Sequence, residues 1–180
     1  MTFTETALET ERIYEGKIIN LRKEKVTVKT GTSYREIIEH PGGAVLLAVT
    51  EDKKMIMVKQ YRRAADKIMF EAPAGKIDPG EPPEITAARE LKEETGYTAK
   101  KVEFLTSFYP TVGYSNEVLY LYLCTGLTAG ETDFDPNEAI DTEAWDINEL
   151  YDMAMSGRID DGKTIIAILM AKNLLTEGRI

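Results

Sequence analysis

Between Met69 and Tyr97 the chain leaves an apolar run and enters a loop punctuated by Pro73, Gly75, Pro79, Gly80, Pro82 and Pro83. It then runs without glycine or proline from Glu84 to Thr95 and stops at Gly96. The spacing predicts a tight turn at Asp78-Pro79-Gly80 and a helix from about Pro83 to Thr95. Proline suits the first helical position, and glycine suits the left-handed residue that closes a helix. At roughly 100° per residue, Ile85, Ala88 and Leu91 form an apolar stripe, while Glu90, Glu93 and Glu94 gather on another face. Glu90 and Glu94 are four residues apart, a like-charge spacing that costs an isolated helix about 0.2–0.5 kcal/mol. Glu93 adds a third charge beside them. Such a face suits solvent, with Arg89 and Lys92 supplying the balance, or a hard divalent ion such as Mg²⁺ that takes carboxylate oxygens.

The chain around this helix alternates strand and helix patterns. From Tyr14 to Glu39, the runs YEGKIINL, KVTVKT and SYREIIEH predict a small antiparallel sheet, turned at Gly31. Pro41-Gly42-Gly43 ends it, which places a β-rich subdomain at 1–41 and the main domain at 42–180. Denser apolar runs follow at 44–50 and 55–61. Beyond the helix come strands around 102–109 and 117–126, an acidic loop from Glu131 to Glu143, and helices at 147–157 and 163–175. The class is α/β. A small meander is marginal alone, so the first subdomain is expected to pack on the main domain or a second subunit.

A net charge of −9 over 180 residues argues against duplex DNA or an anionic membrane as the main partner, since both demand a basic face, and points to small molecules. Cys124 is the only cysteine, so no internal disulfide can form. With neither a basic start nor an apolar export stretch in MTFTETALETER, a cytoplasmic setting is expected, and no segment could span a bilayer. His40, the only histidine, lacks partners for a soft-metal site and is expected to be structural. Cys124 is expected to be a buried small hydrophobe, and Trp145 to pack beneath the helix that follows it.

The whole loop and helix read Gly-x5-Glu-x7-Arg-Glu-apolar-x-Glu-Glu-x-Gly, as Gly75, Glu81, Arg89, Glu90, Leu91, Glu93, Glu94 and Gly96. Tyr97 stands at the final position, where an apolar residue is usual. The pattern resembles the Nudix box, and with seven fixed positions in one spacing it is specific. The resemblance implies a Nudix α/β/α sandwich with a mixed sheet and metal-dependent pyrophosphohydrolase chemistry. It gives Glu90 and Glu94 as ligands of Mg²⁺ or Mn²⁺, with Glu93 and the Ala74 carbonyl assisting. Gly75, Glu81, Arg89 and Gly96 support the loop and helix.

Nearly the whole chain resembles bacterial ADP-ribose pyrophosphatases of that superfamily, through YEGKIINL, SYREIIEHPG, VKQYRR and the GYSNE loop. This likeness implies hydrolysis of ADP-ribose to AMP and ribose 5-phosphate by a homodimer whose N-terminal strands cross between subunits. It implies substrate contacts from Arg35, Arg62 and Glu117, an adenine pocket including Tyr14 and Ile18, and Glu138 as general base, with Glu93 the alternative. Where the family usually reads Ser-Pro-Gly, this chain has Thr111-Val112-Gly113, with its proline two positions earlier at Pro110. A displaced proline reshapes the loop. That leaves open another nucleoside diphosphate derivative, such as another ADP-sugar, GDP-mannose, NADH or a dinucleotide, and also a sensor that binds ADP-ribose without cleaving it.

Overall fold

The computed structural model describes residues 3–133 and 139–180. Glu138 therefore lies outside the described residues. The chain divides into two compact units: residues up to Gly42 together with Tyr109–Val118, and Gly43–Phe108 together with Leu119–Ile180. The sequence reading assigned 109–118 to the main domain.

In the first unit β1 (Ala7–Glu15), β2 (Asn20–Val28) and β3 (Gly31–Glu39) form an antiparallel sheet in chain order. The run YEGKIINL is not one strand. It spans the end of β1, a turn and the start of β2, because the Gly16 N–H bonds back to the Ile19 carbonyl (3.1 Å) and to Asn20 Oδ1 (3.2 Å). The first strand lies earlier, in a polar stretch with no alternation to announce it. Segment 109–118 joins β3 through Ile38 N–H to the Tyr114 carbonyl (2.7 Å) and Asn116 N–H to the Ile38 carbonyl (3.1 Å).

The second unit contains β4 (Gly43–Ala48), β5 (Lys54–Arg62), β6 (Lys67–Glu71), β7 (Ala74–Lys76), α1 (Pro83–Thr95), β8 (Tyr97–Phe108), β9 (Leu119–Ala129), β10 (Asp141–Asp146), α2 (Ile147–Met155) and α3 (Gly162–Thr176). A mixed sheet runs β7-β4-β9-β8, with β4 and β9 parallel, and an antiparallel sheet runs β10-β5-β6. Strand β7 and the start of β10 fall where loop was expected, and β6 lies in a stretch given no element. Each is short and makes sense only as the partner of a neighbouring strand, which local pattern does not reveal.

Strand β4 is buried at every position and sorts its side chains by parity. Val45 and Leu47 enter a core with Leu119, Leu121, Leu123 and residues of α2 and α3, while Ala44, Leu46 and Ala48 meet Ala87 and Leu91 of α1, Tyr122 and Cys124. Helices thus cover both faces of the mixed sheet, the α/β/α sandwich. Cys124 is buried, as expected, and burial pushes its thiol up to about 12. Trp145 packs against the core cluster that includes Ile147 and Leu150 of α2, and edge-on against Phe70 at 5.5 Å.

Candidate active site

Helix α1 begins with Pro83 after Pro82 and ends at Gly96, whose φ of 73° is left-handed and whose N–H bonds the Lys92 carbonyl at 2.9 Å. The turn before it closes through Glu81 N–H to the Asp78 carbonyl at 2.9 Å. Its buried face differs from the expected stripe. Thr86, Ala87, Leu91, Glu94 and Thr95 are buried, whereas Ile85 is 51% exposed and Ala88 is exposed. The sandwich sets this: α1 must lay its small residues on β4 and β9, so Ile85 is turned out and Glu94 is carried in.

The carboxylates are consequently held in unequal settings. Glu94 lies at 5% exposure with Oε2 accepting the Ala74 N–H at 3.0 Å. Glu90 lies directly on Gly75: a Cβ there would sit 1.7 Å from Glu90 Cδ and 2.0 Å from its Oε1, so any other residue would have to displace the Glu90 carboxylate. Glu93 is the most open of the three, with its side chain 35% exposed.

Arg89 ties this group together. Its Nη1 donates to Glu90 Oε1 and to Glu93 Oε2, both at 2.8 Å, and its Nη2 and Nε donate to the Glu81 carboxylate at 2.9 and 3.2 Å. The Glu81 carboxyl is held down to about 2, by the Arg89 hydrogen bond above all and then by Thr86 Oγ1. The Arg89 guanidinium is raised in turn, chiefly by Glu81. Among the described residues no three acidic, His or Cys side chains converge as a ready cation cage, since Arg89 bridges Glu90 and Glu93. The donor set is all oxygen, which fits a hard divalent ion, and the glycine cradle keeps the Glu90 carboxylate against the backbone beside Ala74.

Two tethers attach the neighbouring acidic segment to the end of α1. Asp133 N–H bonds the Glu93 carbonyl at 3.1 Å, and Thr142 Oγ1 bonds the Glu94 carbonyl at 3.2 Å.

The expected substrate residues divide between the units. Arg62 is in the second, at the end of β5, where Nε and Nη2 reach Glu71 Oε1 and Oε2 at 2.7 and 2.8 Å. Tyr14, Ile18, Arg35 and Glu117 are in the first. Tyr14 and Ile18 are 56% and 64% exposed. Arg35 is paired with Glu5, Nε to Oε2 at 2.9 Å, and also bonds Ser33 Oγ. Glu117 Oε1 lies 3.3 Å from His40 Nδ1, and that same nitrogen accepts the Gly42 N–H at 3.1 Å. The His40 N–H also bonds Asn116 Oδ1 at 2.9 Å.

Sequence reasoning missed Glu71. It is 1% exposed and bound by both Arg62 and Lys163. Burial pushes its carboxyl up, but the Arg62 hydrogen bonds and the Lys163 charge outweigh this and hold it below the usual range. A lone glutamate between Phe70 and Ala72 hinted at a buried charge, but its lysine partner lies 92 residues away.

The NUDIX domain family matches residues 40–167. The chain belongs to that family and is a pyrophosphohydrolase. It is 40% identical to the ADP-ribose pyrophosphatase of Bacillus subtilis, over 91% of this chain and 90% of that one. It is 39% identical to the methanol dehydrogenase activator of Bacillus methanolicus, over 92% and 91% of the two chains. A solved structure described as an ADP compounds hydrolase matches with a TM-score of 0.86 over 100% of this chain and 99% of its own, at 20% identity, a likeness of fold. No described helix is long and apolar enough to cross a membrane.

Proposed function

We propose that this enzyme hydrolyses the pyrophosphate bond of ADP-ribose to AMP and ribose 5-phosphate, with Mg²⁺ or Mn²⁺ held by Glu90, Glu93, Glu94 and the Ala74 carbonyl. The observation that carries the chemistry is the Glu90 carboxylate lying on Gly75, on the same helix as Glu93 and Glu94. The likeness to the Bacillus subtilis ADP-ribose pyrophosphatase supports the substrate. When bound, the divalent ion neutralises diphosphate charge and lowers the pKa of a coordinated water. Glu81 and Arg89 hold the carboxylates in place. Glu138 takes the proton of the attacking water, with Glu93 the alternative base. Arg35 and Arg62 pair with phosphate oxygens through their planar forks, and Glu117, Tyr14 and Ile18 contact the nucleoside and ribose ends.

The chain acts as a homodimer built on the residue 1–41 subdomain. Leu8, Ile13, Tyr14 and Ile18 are all about half-exposed or more, which supports a second copy covering them. The displaced Pro110 favours a second reading, in which the enzyme prefers another nucleoside diphosphate derivative. Incubation with Mg²⁺ and ADP-ribose, GDP-mannose, NADH or diadenosine polyphosphates, with product analysis, tests both. Preferential release of AMP and ribose 5-phosphate is expected. Preference for another member of the panel overturns the ADP-ribose assignment, and binding of ADP-ribose without any cleavage overturns the catalytic one.

A further inference from the structure

Residues Glu71 to Gly75 engage a different group at nearly every step. Glu71 takes Arg62 and Lys163, and the Ala72 N–H bonds Thr164 Oγ1 at 2.8 Å. The Pro73 carbonyl accepts the Leu46 N–H at 2.9 Å, the Ala74 N–H holds Glu94, and Gly75 lies under Glu90. This strap links the N-terminal turn of α3 to the carboxylate face of α1.

At its head the two partners of one ion pair are treated unequally. The Glu71 side chain is 2% exposed, while that of Arg62 is 42% exposed. Stability alone does not account for such a pair, since buried ion pairs are commonly replaced by apolar residues at little or no cost. What the pair provides is a fixed cation with solvent access. Two of the five guanidinium N–H groups are spent on Glu71, and the Arg62 side chain makes no other hydrogen bond among the described residues. Three residues along the strap the Ala74 N–H holds Glu94, and Glu94 adds a minor attraction to the Arg62 charge.

We propose that Glu71 is a positioning residue for diphosphate binding: clamped by Lys163, it holds the Arg62 guanidinium at the head of this strap with three N–H groups left for a phosphate oxygen. This deepens the function proposed above and rests on the diphosphate part of it, not on the nucleoside. Pre-orienting the fork removes the ordering cost that a mobile arginine would incur on binding.

The test is calorimetric titration with imidodiphosphate, a non-hydrolysable diphosphate, in the presence of Mg²⁺. Glu71→Gln is expected to weaken binding by about 10-fold, and Arg62→Lys, which keeps the charge but loses the fork, by a similar factor. The double variant should be no weaker than either single one, because both remove the same device. Glu71→Asp keeps a charge for Lys163 but shortens the reach to Arg62, and it carries the test if Glu71→Gln unfolds. A purely structural role would lower the unfolding temperature and leave the affinity of the folded protein unchanged, and that result overturns the inference. The probe carries no nucleoside, so an error over ADP-ribose does not disturb it. A wild type that cleaves ADP-ribose but shows no loss of imidodiphosphate affinity in Glu71→Gln overturns the inference alone.

Discussion

The two units of this chain solve the problem of charge in opposite ways. In the unit that carries the carboxylate helix, β4 is buried throughout, and the carboxylates Glu71 and Glu94 are buried with partners. In the N-terminal unit β1 is exposed throughout, and Val26 is the one buried apolar side chain among the described residues. Ion pairs line that sheet instead, as Glu39 with Arg12 and Arg22, Lys25 with Glu9, and Arg35 with Glu5. Arg35 and Glu5 are 39% and 36% exposed, so solvent screens their attraction and the pair contributes little. Arg35 can exchange Glu5 for another anion at little cost, whereas Arg62 is held to a carboxylate that water does not reach. One arginine is adaptable and the other pre-set.

The comparison breaks first if chemistry is not confined to the second unit. Glu138→Gln is expected to lower turnover roughly 10²–10⁴-fold, the range for loss of a general base, with Mg²⁺ affinity retained. Arg35→Ala in the first unit should instead raise KM and leave kcat nearly unchanged. Steady-state kinetics of the two variants read this directly, and near-normal turnover in Glu138→Gln would pass the role to Glu93. Next in size is the core: Leu47→Ala at a fully buried position of β4 should cost about 2–5 kcal/mol in denaturant unfolding.

Much of the second unit was legible in the sequence because its signals are local. The bounds of α1 follow from Pro83 and Gly96, the two closing helices from apolar spacing, and the family from the spacing of the box. What could not be read depends on partners distant in the chain. Edge strands β6, β7 and β10 exist because neighbouring strands pair with them. The inward face of α1 is chosen by β4 and β9, which rotated the expected stripe and buried Glu94. Glu71 has its meaning from Lys163. In the first unit the polar run at β1 carries no alternation, so the strand is set by pairing with β2 alone, and YEGKIINL misled because Ile18 and Ile19 have strong strand propensity in a turn.

Gly75→Ala is the next largest effect. A methyl 1.7 Å from Glu90 Cδ must push the carboxylate off the backbone, and since the end of a flexible side chain can move, the cost in stability should stay below the roughly 1–3 kcal/mol of core overpacking. Mg²⁺ titration should show weaker binding even where the protein stays folded. Unchanged Mg²⁺ affinity would mean that Glu90 does not need its cradle. The acid limb is subtler. Glu81 falls from its ordinary 4.5 to about 2 beside Arg89, so the folded state binds its proton less tightly than the unfolded one. Its stabilising contribution is present above 4.5 and is lost as pH falls towards 2. The difference in melting temperature between wild type and Glu81→Gln should therefore shrink across that window.

The smallest effect tests the other side of the comparison. Leu8 in β1 is 51% exposed, and truncating an exposed side chain usually changes stability by no more than about 0.5 kcal/mol. If β1 is bare in solution, Leu8→Ala should behave this way at every protein concentration. If a second copy covers the strand, the loss should grow on the scale of a buried leucine and depend on protein concentration, because unfolding is then coupled to dissociation. Melting curves over a hundredfold range of concentration, with light scattering for the mass, separate the two. Concentration-independent melting of a monomer would mean that this unit holds together without a second copy, and the homodimer proposed for it would be withdrawn.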